Sequence, residues 1–109
     1  MASEVLKLAT FRGDANSVQA LLTVASGKTA TVLSVTICET AGNAETFDLL
    51  IDDGGGGDDT YIYNTQALGA NETFEHTGKF VMEETDHLSI QTASASNIDV
   101  CVSYLLQTL

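Results

Sequence analysis

The chain has no proline and no tryptophan, and it is poor in positive charge. Its basic residues are Lys7, Arg12, Lys28 and Lys79, against fifteen acidic residues, so the net charge is -11. Binding to a nucleic-acid backbone relies on cations that release condensed counterions, and anionic lipid surfaces also attract Lys and Arg clusters. We therefore expect no nucleic acid and no membrane as partner, and a basic or mixed-charge protein surface instead.

Long apolar runs are also missing. No segment approaches the ~20 apolar residues that a membrane helix needs. Residues 1–7 lack the basic start and apolar block of a secretory signal. These absences predict a protein that is made in the cytoplasm.

Charged residues make up 17% of the chain, whereas about 25% is usual. Small polar and apolar residues, mainly Thr, Ser, Ala, Asn and Gly, take their place. Such a surface is readily desolvated and suits packing against neighbours. The length of 109 residues corresponds to one domain spanning residues 1–109.

Short alternating runs separated by Gly, Asn and Asp clusters are typical of an all-β sandwich or barrel. In the clearest run, Leu33, Val35 and Ile37 share one predicted face. A helix over residues 16–22 is the alternative in that segment. We predict an antiparallel β-sandwich of eight or nine strands and leave a jelly-roll strand order open. The predicted strands are residues 4–11, 20–24, 29–38, 46–52, 60–64, 72–76, 79–82, 86–92 and 97–105.

An acidic loop flanks a run of four glycines with Asp52, Asp53, Asp58 and Asp59. Calcium takes six to eight oxygen ligands on a backbone that curls around it. The loop has carboxylates, but it lacks the ordered spacing of a calcium-binding hand. We interpret it as a solvated loop, keep a metal site there as the alternative, and expect no cofactor.

The two histidines, His76 and His87, each follow a carboxylate in sequence. No Gly-x-Ser-x-Gly or His-Glu-x-x-His motif accompanies them. We interpret both as surface or edge-strand residues and predict that the protein is not an enzyme.

Two further motifs have structural interpretations. Arg12-Gly13-Asp14 matches the tripeptide that integrins recognise, but we interpret it as a turn in which Asp14 caps a neighbouring amide. Cys38 and Cys101 have no nearby histidine and predict neither a zinc site nor, in a cytoplasmic protein, a disulfide.

Residues 22–38, LTVASGKTATVLSVTIC, followed by ETAGNAETF, resemble small structural proteins of tailed bacteriophages. The similarity continues through the Asp-Gly loop, residues 61–63, residues 68–74 and residues 98–102. It implies a virion component without catalytic residues, a β-sandwich that often assembles as a trimer. Members of this class are capsid decoration (cement) proteins or small proteins associated with tails and fibres.

The resemblance leads to two hypotheses. In the first, the chain decorates the outer capsid surface as a homotrimer, with the major capsid protein or another virion protein as partner. Residues 1–10 then form an N-terminal arm or exchanged strand, with Val5, Leu6, Leu8, Tyr61 and Tyr63 as interface candidates. In the second, a tail or fibre module binds a host-surface glycan through Tyr61, Tyr63, Phe74 and the acidic loop.

Overall fold

The computed structural model describes residues 3–52 and 59–109, which form nine β-strands. All nine predicted strands are present. Within these ranges there is no helix, and therefore none that spans a membrane. The alternative helix over residues 16–22 is wrong, because this segment contains a strand. The strands are β1 (Ser3–Asp14), β2 (Gln19–Thr23), β3 (Lys28–Glu39), β4 (Glu45–Asp52), β5 (Thr60–Leu68), β6 (Thr73–His76), β7 (Phe80–Met82), β8 (His87–Thr92) and β9 (Asn97–Thr108).

The strands form two antiparallel sheets packed as a sandwich. Sheet A has the order β1-β9-β3-β6, and the short β7 also pairs with β3. Sheet B has the order β2-β8-β4-β5. When β6 and β7 are taken as one interrupted strand, this is a jelly-roll arrangement, in which two four-strand layers face each other. The predicted fold class is confirmed.

The core lies between the inner faces of the two sheets. Phe47, Leu49 and Ile90 of sheet B are at most 1% exposed, as are Val35 and Ile37 of sheet A. Along β9 buried and exposed residues alternate regularly. The buried residues are Ile98, Val100, Val102 and Tyr104, and the exposed ones between them are Asp99 and Cys101.

One face assignment in β3 is wrong. Leu33 was predicted to point inward with Val35 and Ile37, but it is only half-buried. The pairing register with β9 shifts between Val32 and Ser34, so Leu33 is the unpaired residue of a β-bulge. The extra residue reverses the alternation, which leaves Val32 and Val35 fully buried and turns Leu33 outward.

The interpretation of Arg12-Gly13-Asp14 as a turn is wrong. This segment continues β1 and pairs with β9. Asp14 nevertheless caps an amide as expected, since the Asn16 N–H donates to its Oδ1 at 2.9 Å. In the turn between β2 and β3, Gly27 has a φ of 78°, a left-handed conformation that glycine adopts without strain.

Candidate assembly surface

The first half of β1 is open to solvent on both faces. All residues from Ser3 to Leu8 are exposed, and Val5, Leu6 and Leu8 have exposed fractions of 50%, 72% and 60%. The physical reason is a mismatch in strand length. β2, which contacts β1 from sheet B, has five residues and spans ~17 Å, whereas the twelve residues of β1 span ~40 Å. Sheet B therefore covers only the second half of β1, where Ala9 and Phe11 pack against the core.

The outer face of sheet A next to these residues is apolar and weakly charged. Leu6 lies opposite Leu105, which lies opposite Thr31, and Thr31 in turn lies opposite Val81. Val81 is 61% exposed. The bulged Leu33 adds a further apolar side chain to a groove of about 370 Å³. The groove is lined by Leu6, Lys7, Leu8, Leu33, Ser103 and Tyr104.

β1 is also an edge strand. In the part of the chain that the structure describes, β9 is its only partner in sheet A, so the other backbone edge of β1 is unpaired. Exposed edges of long, apolar strands readily pair with another chain. Three of the predicted interface residues, Val5, Leu6 and Leu8, thus lie together on an edge with the features of a pairing surface.

The predicted tyrosines do not form an exposed cluster. Tyr61 is 49% exposed on β5, the edge strand of sheet B. Tyr63 is partly buried and packs edge-on against Phe74, with ring centroids 4.9 Å apart. Its hydroxyl lies 2.9 Å from Nδ1 of His76. Tyr63 and Phe74 therefore belong to an aromatic cluster at the border of the core, and Tyr61 stands apart from them.

The histidines lie in different sheets and have structural partners. His76 lies in β6 of sheet A, between the Tyr63 hydroxyl and the carbonyl of Gly78, which is 2.6 Å from Nε2. His87 lies in β8 of sheet B, with Nδ1 2.9 Å from the Thr23 hydroxyl. The structure does not bring them together.

Two of the four aspartates of the acidic loop belong to the described residues. Asp52 ends β4 opposite His87, and Asp59 is exposed just before β5. Asp53 and Asp58 lie outside the described residues. Among those that are described, no group of three or more His, Cys, Asp or Glu side chains is placed to hold a metal ion.

Cys38 and Cys101 are free thiols on the outer face of sheet A. Cys101 lies opposite Thr36, two residues before Cys38, so the two cysteines are diagonal neighbours on adjacent strands. Cys101 is exposed and Cys38 is half-buried.

Glu39 holds together the loops near the C-terminal end of β1. The sequence analysis did not identify this residue. Glu39 ends β3 and is 1% exposed. Its carboxylate accepts five hydrogen bonds from three different loops. The donors are the N–H groups of Ala41, Gly42, Asn43 and Asn71 and the hydroxyl of Ser96, at 2.8–3.1 Å.

These hydrogen bonds lower the pKa of Glu39 from 4.5 to about 2. The N–H of Asn71 has the largest effect, burial of the carboxyl acts in the opposite direction, and the Ser96 hydroxyl contributes further. Gly42 has a φ of 83°, which helps the loop to curl its N–H groups around the carboxylate. One local signal was available in the sequence, an acidic residue directly before the Thr-Ala-Gly-Asn turn.

Comparisons with known proteins give a fold but no family. No protein-family model matches the chain, and no curated protein matches it. Solved structures do. A chain from the acid-stable capsid of Helicobacter pylori bacteriophage KHP30 is similar with a TM-score of 0.61 and 18% identity, over 100% of this chain and 99% of that one.

Two further structures extend the comparison. A chain from the disulfide-linked pili that form Bacillus endospore appendages has a TM-score of 0.60 and 14% identity, covering 100% of this chain and 91% of that one. A chain of infectious bursal disease virus has a TM-score of 0.57 and 11% identity, over 97% of this chain and 32% of that one. At these identities the similarity concerns the fold alone. This β-sandwich also occurs in chains from viral capsids and a pilus.

Proposed function

We propose that this protein is a non-enzymatic structural component of a virion, and that it decorates and stabilises a phage capsid as a homotrimer. The observation that carries the proposal is the uncovered half of β1. Leu6 and Leu8 are exposed there in an apolar groove on the outer face of sheet A, and Val5 is exposed on the inner face. A surface of this kind marks an interaction site in a folded protein.

The fold and the charge support the same role. The chain matches nearly the whole length of a chain from a phage capsid, so the two have the same size as well as the same architecture. The net charge of -11 suits an outer position, remote from packaged DNA. The partner is the major capsid protein or another virion protein, and the chain is made in the host cytoplasm.

A trimer adds strength through multivalency. Each contact with the capsid is weak, but three linked subunits bind as one unit with an affinity far above that of a single subunit. Binding to the assembled shell then stabilises it by mass action.

Immunogold electron microscopy tests the location. Antibodies against the purified chain are applied to phage particles released from cells that carry its coding sequence. We expect labelling over the outer capsid surface. Labelling confined to the tail or fibres would instead favour the glycan-binding module, and particles without the protein would contradict a virion role.

Native mass spectrometry with and without a chelator tests the assembly state. The proposed trimer has a mass near three times 11.5 kDa. We expect this mass to be unchanged by the chelator, because the described residues offer no metal-binding cluster. A trimer that dissociates on chelation would place a structural metal in the acidic loop, and a monomer under both conditions would contradict trimer formation in the absence of the capsid.

A further inference from the structure

The two edges of sheet A differ in how they are protected. The far edge consists of β6 and β7, which have four and three residues and are interrupted at residues 77–79. Short, interrupted edge strands with charged side chains, here Glu75 and Lys79, discourage pairing with other chains. The near edge, β1, is twelve residues long and continuous, and its open half exposes Val5, Leu6 and Leu8 beside the charged Glu4 and Lys7. Its length and its exposed apolar side chains make it the edge of sheet A that is better suited to accept a partner.

We infer that β1 pairs antiparallel with the β1 of a second copy of this chain, with Leu8 opposite Leu8 on a two-fold axis. The pairing joins two A sheets into one continuous sheet. It is isologous, since both copies use the same strand. The inference goes beyond the proposed function, because an isologous contact cannot close a three-fold ring and therefore links subunits of two different trimers. Two trimers joined in this way have a mass near six times 11.5 kDa, whereas the unpaired trimer has three times that mass.

The register follows from sheet geometry and charge. A two-fold axis perpendicular to the sheet keeps both inner faces on the same side, so odd residues must face odd and even residues must face even. The axis then passes through a residue position. With the axis at Leu8, Glu4 of each copy lies opposite Arg12 of the other. Opposite charges facing each other across strands are stabilising.

Registers with the two-fold axis at a residue next to Leu8 are electrostatically less favourable. An axis at Lys7 places the two Lys7 side chains opposite each other, and an axis at Ala9 places Glu4 opposite Asp14. Like charges directly opposite each other are destabilising. An axis at Leu6 or Thr10 shortens the overlap and removes the acid from the position opposite Arg12.

Contacts within the single chain already place Glu4 and Arg12 on the face where this register needs them. Glu4 Oε1 accepts a hydrogen bond from Gln107 Nε2 at 3.0 Å, which holds the carboxylate on the outer face. Arg12 lies opposite Asp99 on the same face. In the pair, Arg12 would lie between two acids, Asp99 of its own chain and Glu4 of the second copy. This matters in a chain with four basic residues, since two of them, Lys7 and Arg12, are in β1.

The pairing also covers the side chains that sheet B leaves bare. On the outer face, Leu8 meets its counterpart and Leu6 faces Thr10. On the inner face, Val5 lies opposite Phe11 of the second copy, which is only partly buried in the single chain. The exposed half of each β1 is thus covered by the protected half of the other.

Disulfide trapping in the full chain tests the register. Leu8→Cys is introduced into a variant with both natural cysteines replaced by serine and is oxidised mildly near neutral pH. Directly opposite residues in an antiparallel pair have Cα atoms ~4.5–5.5 Å apart, within the range of a disulfide. We expect a covalent dimer on a non-reducing gel, and this readout is the same whether the subunits are otherwise free or held in trimers.

Two matched cysteine variants are the controls. With Leu6→Cys the two thiols are offset by four residues along the strands, about 13 Å, and do not join. Val81→Cys places an equally exposed thiol on the opposite edge of sheet A. Cross-linking at Leu6 or Val81 as efficient as at Leu8, or none at Leu8 in a variant that retains the β-sheet circular dichroism spectrum, would overturn the inference.

A charge exchange tests the proposed ion pairs. In the Leu8→Cys background, Glu4→Arg or Arg12→Glu alone lowers the initial rate of dimer formation about fivefold, since each places two like-charged pairs at the interface. The double variant restores the rate. Lys79→Glu changes the net charge as Arg12→Glu does but lies at the far edge, so it leaves the rate unchanged. A double variant as slow as the single ones would refute this register.

Discussion

The two ends of sheet A along its strands differ. At one end, Glu39 binds the loop after β3, the turn before β6 and the loop before β9, and its carboxylate is buried. At the other end, β1 extends past sheet B with Val5, Leu6 and Leu8 in solvent. We call these regions the closed end and the open end. The closed end satisfies its polar groups within the chain, whereas the open end leaves both apolar side chains and backbone groups without partners in the described part of the chain.

The difference separates folding from assembly. A buried carboxylate that accepts five hydrogen bonds acts on the stability of the single chain, because its removal leaves several donors without an acceptor. Exposed apolar side chains contribute little to the stability of the single chain, and their burial becomes available when a partner arrives. Variants at the closed end should therefore change unfolding, and variants at the open end should change association.

The largest effect on unfolding is expected from Glu39→Gln. The amide keeps the size of the side chain but removes the charge and one acceptor oxygen, so N–H groups of the bound loops lose their partner. Thermal unfolding followed by circular dichroism should show a lower Tm for Glu39→Gln than for Glu45→Gln or for the variants of β1. Glu45→Gln is the matched control, because within residues 3–52 and 59–109 that buried carboxylate accepts only from the Thr46 N–H and the Ser94 hydroxyl. An equal loss of Tm in both variants would contradict the special role of Glu39.

The pH dependence of unfolding sharpens the same test. Because folding lowers the pKa of Glu39 from 4.5 to about 2, its ionised form stabilises the fold fully above pH 4.5. That contribution is lost as the pH falls from 4.5 towards 2. The difference in Tm between the wild-type protein and Glu39→Gln should therefore narrow across this window. A difference that stays constant down to pH 2 would show that the charge of Glu39 is not responsible.

A smaller effect distinguishes the two halves of β1. Phe11 packs against the core, so Phe11→Ala should lower the free energy of unfolding by about 2 kcal/mol, less than a fully buried Phe would. Leu6 is 72% exposed, so Leu6→Ala should change it by less than about 0.5 kcal/mol. Urea denaturation at low protein concentration, where copies do not associate, measures both. Equal losses would mean that the open half is covered in the single chain.

The strands could be predicted from the sequence because alternation is a local signal. In β9 the alternation that buries Val100 and Val102 is unbroken, so the sequence pattern alone indicates the buried face. The phase of Leu33 could not be predicted, since a bulge depends on how β3 pairs with β9 rather than on β3 itself. The order of the strands likewise depends on contacts between residues distant in sequence.

The site was predictable only in part. The apolar residues of β1 stood out in the sequence, but their exposure follows from the shortness of β2, which no pattern within β1 reports. Glu39 was missed for a related reason. Its donors Asn71 and Ser96 are 32 and 57 residues away, and the fold alone brings them to the carboxylate.

The pairing of β1 with β9 has a mechanical consequence. Ser3 lies opposite Thr108, so the two strands meet at the open end and run in opposite directions. A force that pulls Ser3 and Thr108 apart acts on one residue pair at a time and peels the strands like a zipper. A neighbouring subunit paired with β1 would exert a force along the strand. Such a force acts in shear on all the residue pairs between β1 and β9 at once. The pairing of β1 with β9 therefore resists a force along the strand better than a force that separates the strand ends. An attachment through the edge of β1 would be loaded in the direction of higher resistance.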